Sequence, residues 1–424
     1  MKLQTAKGVR DFGPELKIIR EELVTALKDV FEQYGFSPIE TPILERYDVL
    51  SSKYAGGAEI LKETFKLKDQ GKRDLALRYD LTVPMCRFVG MNPSIKIPFK
   101  RYQIGRVFRD GPIKLGRYRE FLQCDVDIVG CKDMTADAEI INLTLDVFKR
   151  LRLDVEIKIN NRKILDSILR CAGVSNDKLE TVILTIDKLE KFGKDVVKKE
   201  LEEKKILDKI VKNIFEFILI KGTVSEKLER LSELLVDEEG KQGIKEIKEL
   251  FDLIEDKNII FDTSLARGLS YYTGTVFEVF LKKDEIKSAI AAGGRYDKLI
   301  SSFLNTKQEY PAVGISFGLD VITDTLKEKQ AKKTVTQLYV IPINTFKESL
   351  KIAQCFRDAG IKTEIDLMSR GPSKNLQYAN SKLIPFVAII GEEEIKQNKI
   401  KLKDMKSGKE KLTTVDVAIA DLKK

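Results

Sequence analysis

The chain has 424 residues, 43% of them hydrophobic, which is enough for two or three globular domains with a sizeable core. Its net charge of 75 − 66 = +9 is open to a polyanionic partner and equally to a solvated lysine-rich surface. It contains no histidine, which excludes an imidazole base, Ser-His-Asp and Cys-His catalysis, and every His-containing zinc site. Five scattered cysteines form no C-x-x-C pair, and neither a signal peptide nor a membrane-length apolar run is present. No disulfide framework, zinc ribbon or membrane span is expected, and a reducing cytoplasm is. Chemistry must therefore run on Arg, Lys, Asp, Glu, Tyr and backbone, groups suited to positioning and charge stabilisation.

Leu16, Ile19, Leu23, Leu27, Val30, Phe31 and Tyr34 recur at three- and four-residue steps and predict one long amphipathic helix, capped at Gly35. Phe36–Leu44 carries Pro38 and Pro42 and reads as an extended edge element. Thr64–Lys68 and Asp74–Arg78 predict a hairpin around Gln70-Gly71-Lys72. The second arm ends in Asp80-Leu81-Thr82, whose short oxygen-bearing side chains suit either helix capping or a binding site.

From Ile97 the pattern reads as three consecutive strand-like pieces. Arg106-Val-Phe-Arg109 leads into a loop, 110–116, containing Gly111, Pro112 and Gly116. Beyond it, Arg117–Val129 alternates strictly. Leu122, Cys124, Val126 and Ile128 point to a core; Arg117, Arg119, Phe121, Gln123, Asp125 and Asp127 point to solvent or to a ligand. Residues 178–256 are charge-rich and helical, with breaks expected at Gly222-Thr223 and Glu239-Gly240, and look like an insertion between two parts of one sheet.

Strand character resumes at Ile259 and is expected to continue through Leu265–Phe280, Leu-Ala-Arg-Gly-Leu-Ser-Tyr-Tyr-Thr-Gly-Thr-Val-Phe-Glu-Val-Phe. Arg267 at its start is either a solvated charge on an edge strand or a fixed guanidinium for an anion. Gly293 and Gly294 allow a tight turn or a close backbone approach. Pro311–Ile322 predicts a strand turning into a helix, and 327–334 a lysine-rich linker. The remainder, 335–424, alternates strands and helices: a mixed sheet with covering helices, closed by a hairpin around Ser407-Gly408 and a last helix.

Taken together these stretches resemble the histidyl-tRNA synthetase family of class II aminoacyl-tRNA synthetases over essentially the whole chain. Arg106–Phe121 resembles the second class-defining motif, and Leu16–Leu44 the first. Arg267-Gly-Leu-Ser-Tyr-Tyr-Thr-Gly and Ala292-Gly-Gly-Arg-Tyr-Asp resemble the two signatures peculiar to the histidine enzymes. The resemblance implies an α+β fold: an antiparallel-sheet catalytic domain over 1–326 with a helical insertion at about 162–257, and an anticodon-binding α/β domain over 335–424. It implies activation of L-histidine with ATP and Mg²⁺ bound through the phosphates, transfer to tRNA(His), a homodimer, and no membrane association. By match to the motifs, Arg109 and Arg267 would be catalytic and would contact both ATP and histidine, with Arg117 and Phe121 also on ATP. Asp80, Leu81, Thr82, Gln123, Asp127, Tyr271 and Tyr272 would bind histidine.

The chain departs from the family pattern at three places. Val321 stands where an arginine usually grips the γ-phosphate, Gly111 where a glutamate often faces adenine, and Ser270 where aspartate is common. Arg295 or Lys298 would be the nearby cations to replace the missing arginine. The alternative these departures leave is a non-catalytic paralogue, a regulatory subunit of ATP phosphoribosyltransferase.

Overall fold

One proline, Pro38, sits in the two-residue strand at one edge of the main sheet. The chain is described here from a computed structural model covering residues 3–53, 61–113, 118–268, 271–282, 288–327 and 333–423. The residues group into two compact units, 1–10 with 23–322 and 11–22 with 323–424.

The first unit contains strands β1 (Ser37–Pro38), β2 (Leu44–Arg46), β3 (Lys66–Lys68), β4 (Asp74–Leu77), β5 (Phe99–Phe108), β6 (Glu120–Val129), β7 (Val155–Asn161), β8 (Ile259–Phe261), β9 (Thr275–Leu281), β10 (Ala291–Arg295) and β11 (Ala312–Gly318). Eight of them form one sheet in the order β1-β5-β6-β11-β10-β9-β7-β8. The six central strands pair antiparallel, while β1 and β8 join the two edges in parallel. Pro38 lacks an N–H for a second neighbour, so β1 stays at the rim. The hairpin β3–β4 forms where alternation predicts it and pairs with β2 in a smaller sheet. Helix Pro14–Gln33 buries Leu23, Leu27, Val30 and Phe31, and Gly35 turns the chain at φ +74°.

Three expectations change. The three strand-like pieces after Ile97 are two: β5 runs ten residues unbroken and pairs with β6 from Phe99↔Val129 to Phe108↔Glu120. Strand structure does not span Leu265–Phe280; it starts at Thr275. Ahead of it Asn160 donates to the carbonyls of Thr263 (3.1 Å) and Leu265 (2.8 Å), so a side chain and not a ladder satisfies them. Arg267 thus sits on a loop. Glu239-Gly240 is no break: helix Glu238–Leu253 begins there, because Asp237 accepts from Gly240 N at 2.6 Å. Thr223 does start a helix, Val224–Leu234, with a capping box to Glu226.

Between β7 and β8 the chain is helical from Arg162–Ala172 through Glu238–Leu253. Gly293 and Gly294 lie inside β10, where an added Cβ would run into Gly314 O and Thr275 O respectively. Close backbone approach, not a turn, is what these glycines permit.

The second unit holds β12 (Leu338–Pro342), β13 (Thr363–Ile365), β14 (Phe386–Ile390), β15 (Ile400–Asp404) and β16 (Glu410–Thr413), ordered β13-β12-β14-β15-β16. β13, β12 and β14 are parallel and connect through helices Phe346–Asp358 and Pro372–Ser381, as parallel strands require. β15 and β16 form the expected hairpin, with Gly408 at φ +73°. Leu338, Val340, Phe356, Ala388, Ile400 and Ala418 make its core. A short helix, Glu392–Lys396, has no counterpart in the sequence reading.

Candidate active site

Cross-strand register builds the floor of a cavity of about 510 Å³ in the first unit. On β6, Gln123, Asp125 and Asp127 share one face by the two-residue period of a strand. β5 places Gly105, Gln103 and Arg101 opposite them, and β11 places Gly318, Ser316 and Gly314 on the other side. The glycines leave room where side chains from neighbouring elements reach in.

Asp80, Thr82, Arg109, Phe121, Gln123, Asp127, Arg267, Tyr271 and Tyr272 all line this one cavity. Leu81 does not: it is fully buried and packs inward at the start of helix Thr82–Met91. Arg117 and Ser270 lie outside the described residues. Asp80 lines the cavity and also accepts from Val83 N at 2.9 Å, the helix-start hydrogen bond that its side chain suits.

Arg109 is sandwiched. Its guanidinium carbon lies 4.4 Å from the Tyr79 ring centroid and 4.9 Å from that of Phe121, and Nε donates to Tyr79 O at 3.3 Å. Such stacking fixes a guanidinium without using up its in-plane donors. Arg267 is held differently, by a charge-assisted hydrogen bond from Nη1 to Glu278 of β9. Burial works against its charge, but Tyr272, Glu278 and Asp187 hold its pKa above the ordinary arginine value. Asp187 follows helix Leu179–Ile186, so the helical insertion contributes a carboxylate beside the Arg267-Gly268 loop.

Burial pushes the Asp125 carboxyl up to about 6, against the pull of Arg101. Gln123 donates to both Asp125 oxygens at 2.9 Å. Asp127 pairs with Arg101 at 2.6 Å and accepts from the Tyr296 hydroxyl. Tyr271 and Tyr272 lie with ring centroids 4.7 Å apart, and burial pushes the Tyr271 hydroxyl well up, so it remains a donor.

Neither cation considered as a replacement for the missing arginine at Val321 lines the cavity. Arg295 is buried and spent on structure: it pairs with Asp137 and Asp297 and donates to the carbonyls of Cys131 and Asp133. Lys298 is exposed at the start of helix Leu299–Leu304. Val321 itself lines the cavity beside Asp320, which Arg10 meets at 3.0 Å.

Sequence reasoning missed Tyr79, Arg101, Glu278, Asp187 and Ser316. Tyr296 stood within a recognised signature without a role. Cross-strand pairing assigns Arg101 and Ser316, and no local pattern carries that information. Among the described residues no cluster of three or more Cys, Asp or Glu could hold a metal, and no helix is long and apolar enough to cross a membrane.

Residues 8–322 match the family described as histidyl-tRNA synthetase, and residues 337–424 that described as anticodon binding domain. The chain is 44% identical over 430 residues to "Histidine--tRNA ligase 1" of Bacillus cereus, covering 100% of this chain and 97% of that protein. A crystal structure of histidyl-tRNA synthetase from Nostoc sp. PCC 7120 superposes with a TM-score of 0.87 at 32% identity, covering 100% of this chain and 99% of that one. A structure titled as an ATP phosphoribosyltransferase regulatory subunit/histidyl-tRNA synthetase, from Bacillus halodurans, gives 0.76 at 21% identity, covering 92% of this chain and 99% of that one, a likeness of fold alone.

Proposed function

The chain belongs to the histidyl-tRNA synthetase family and ligates histidine to tRNA using ATP, and we propose that the cavity lined by Arg109 and Arg267 is where histidine is activated. The observation that carries this reading is the convergence on one cavity of nine side chains, from Asp80 to Tyr272, that the family resemblance names from separate stretches of the chain.

In the first step an oxygen of the histidine carboxylate attacks the α-phosphorus of ATP, and the bond to pyrophosphate breaks. In the second, a terminal ribose hydroxyl of tRNA(His) attacks the acyl carbon and AMP leaves. A carboxylate needs no base to become a nucleophile, so a chain without histidine can do this. What the step needs is alignment and cations where charge develops. Arg109, stiffened between Tyr79 and Phe121, holds the α-phosphate and carboxylate; Arg267, stiffened by Glu278, approaches as the second cation. Phe121 serves as shelf for Arg109 as well as platform for adenine, and Arg117 meets the phosphates. Asp80, Thr82 and Gln123 receive the α-ammonium, while Asp127, Tyr271 and Tyr272 surround the imidazole. With no carboxylate cluster among the described residues to hold it, Mg²⁺ would be carried by the phosphates of ATP, where it would supply charge neutralisation.

The domain limits 1–326, with its insertion at about 162–257, and 335–424 follow from the same reading, as do a homodimer built on the helix and strand of residues 16–44 and a cytoplasmic location. The second unit takes the tRNA, in line with its match to anticodon-binding domains. Val321 is the observation on the side of a regulatory subunit without catalysis. Retention of residues 337–424 and of Arg109, Gln123, Asp127 and Arg267 stands against it. Histidine-dependent ATP–pyrophosphate exchange by the purified protein is the test: exchange supports the ligase, and its absence at saturating ATP would sink it.

A further inference from the structure

Behind the part of the cavity assigned to the imidazole lies an arginine with no place in the chemistry so far. Arg101 sits on β5 opposite Asp127, its side chain is 0% exposed, and it does not itself line the cavity. Its Nη2 meets Asp127 Oδ2 at 2.6 Å, while Tyr296 donates to Oδ1, so each carboxylate oxygen is engaged by a different group. None of the Arg101 nitrogens, Nε, Nη1 or Nη2, makes a hydrogen bond among the described residues, so its contact with Asp127 is purely an ion pair. The charge of this guanidinium therefore answers first to Asp127 and next to Asp125.

A buried carboxylate without a counter-ion strongly favours a cationic ligand, because an unpaired buried charge is costly. Paired with Arg101, the two charges sum to zero; Oδ2 is buried against the guanidinium, so what Asp127 presents to the cavity is Oδ1, which has a second lone pair beyond the one Tyr296 occupies. Tyr271 and Tyr272 stand on the same wall with their hydroxyls hydrogen-bonded to each other, which leaves one O–H of the pair to donate. One acceptor and one donor match a neutral imidazole, which has one N–H and one bare nitrogen. An imidazolium has two N–H groups and nothing to accept from a phenol.

We propose that Arg101 is a specificity-determining positioning residue: by neutralising Asp127 from behind, it makes the pocket select histidine with an uncharged ring. The proposal rests on the assignment of Asp127 to the imidazole. The charged and titratable groups facing this place are Arg101 on β5, Asp125 on β6, Tyr296 after β10, Tyr271, Tyr272 and Arg267 ahead of β9, and Asp80 and Cys86 at helix Thr82–Met91.

The chain's own lack of histidine makes the test direct, because a bound substrate ring is the sole imidazole in the sample. Histidine labelled with ¹⁵N in the ring is bound to the full-length protein, and its protonation is read by NMR across pH. At about pH 6 a free ring is roughly three-quarters protonated, whereas the bound ring should be neutral. Arg101→Met should turn the bound ring into an imidazolium at neutral pH and weaken histidine binding at least about tenfold. Asp125→Asn, which removes the other nearby titrating carboxylate, should leave the bound ring neutral. A ring bound as imidazolium to the unaltered protein at about pH 7.5 would overturn the proposal whether or not the Arg101 variant folds. So would an Arg101→Met protein that folds and keeps the ring neutral. If Asp127→Asn leaves both affinity and ring protonation unchanged, the assignment of Asp127 fails instead, and the proposal with it.

Discussion

Asp127 on β6 lies directly across from Gly314 on β11, and a Cβ at position 314 would overlap the Asp127 carboxylate. Arg101 and Tyr296 hold that carboxylate in place, so it has no low-cost way to move aside. Gly314→Ala should therefore break part of this buried network and raise the KM for histidine at least about tenfold. The KM for ATP should change much less. Equal increases for both substrates, measured by pyrophosphate exchange, would mean the alanine disturbs the whole sheet.

Arg267→Ala should lower the exchange rate by about two to three orders of magnitude while leaving histidine affinity within a few fold. The reason is that its contact gains strength as charge develops in the transition state. Parallel loss of kcat and affinity would make Arg267 a ground-state binding group.

Phe121→Leu removes the aromatic shelf under Arg109, a half-buried cation–π contact worth about 1–2 kcal/mol. An increase in the KM for ATP of roughly five- to thirtyfold should follow. The rise should persist, reduced, with nucleotides whose base stacks poorly, since the shelf acts through the arginine as well as through adenine. An unchanged KM would refute both roles.

Asp125 gives a pH signature to stability. Its folded-state value of about 6 lies above that of an unfolded aspartate, so the folded chain binds the proton more tightly. The stabilisation is complete below about pH 4 and is lost as pH rises through about 6. A shift of this size corresponds to about 3 kcal/mol. Asp125→Asn mimics the protonated form and should raise Tm over the unaltered protein at about pH 7.5, with the advantage shrinking towards about pH 5. A difference that does not vary between these pH values would show that Asp125 ionises normally.

The second unit has its own core around Phe356, Val340 and Ala388. A fragment of residues 335–424 should unfold cooperatively on its own. A chain ending at 326 should retain pyrophosphate exchange while losing most tRNA charging. Loss of exchange as well would mean that the first unit depends on the second for its fold.

Much of this molecule was legible from residue order because the physical signals were local. Alternation in Gln123–Val129, the three- and four-residue steps of Leu16–Tyr34 and the glycine at 408 each act within a few residues, and the structure follows them. Motif residues such as Arg109 and Arg267 could be named because their chemistry is read from residue type and order. Other features were decided elsewhere. The strand expected from Leu265 starts only at Thr275, and ahead of it Asn160, more than a hundred residues earlier, takes the carbonyls of Thr263 and Leu265. Arg101, Asp127 and Gly314 are far apart in sequence and meet through strand register alone, and that register sets the charge of the pocket floor. Residue order by itself determined which side chains could do the chemistry. Only the tertiary structure decided which buried charges stand together, because Coulomb energy and desolvation depend on distance in space and not along the chain.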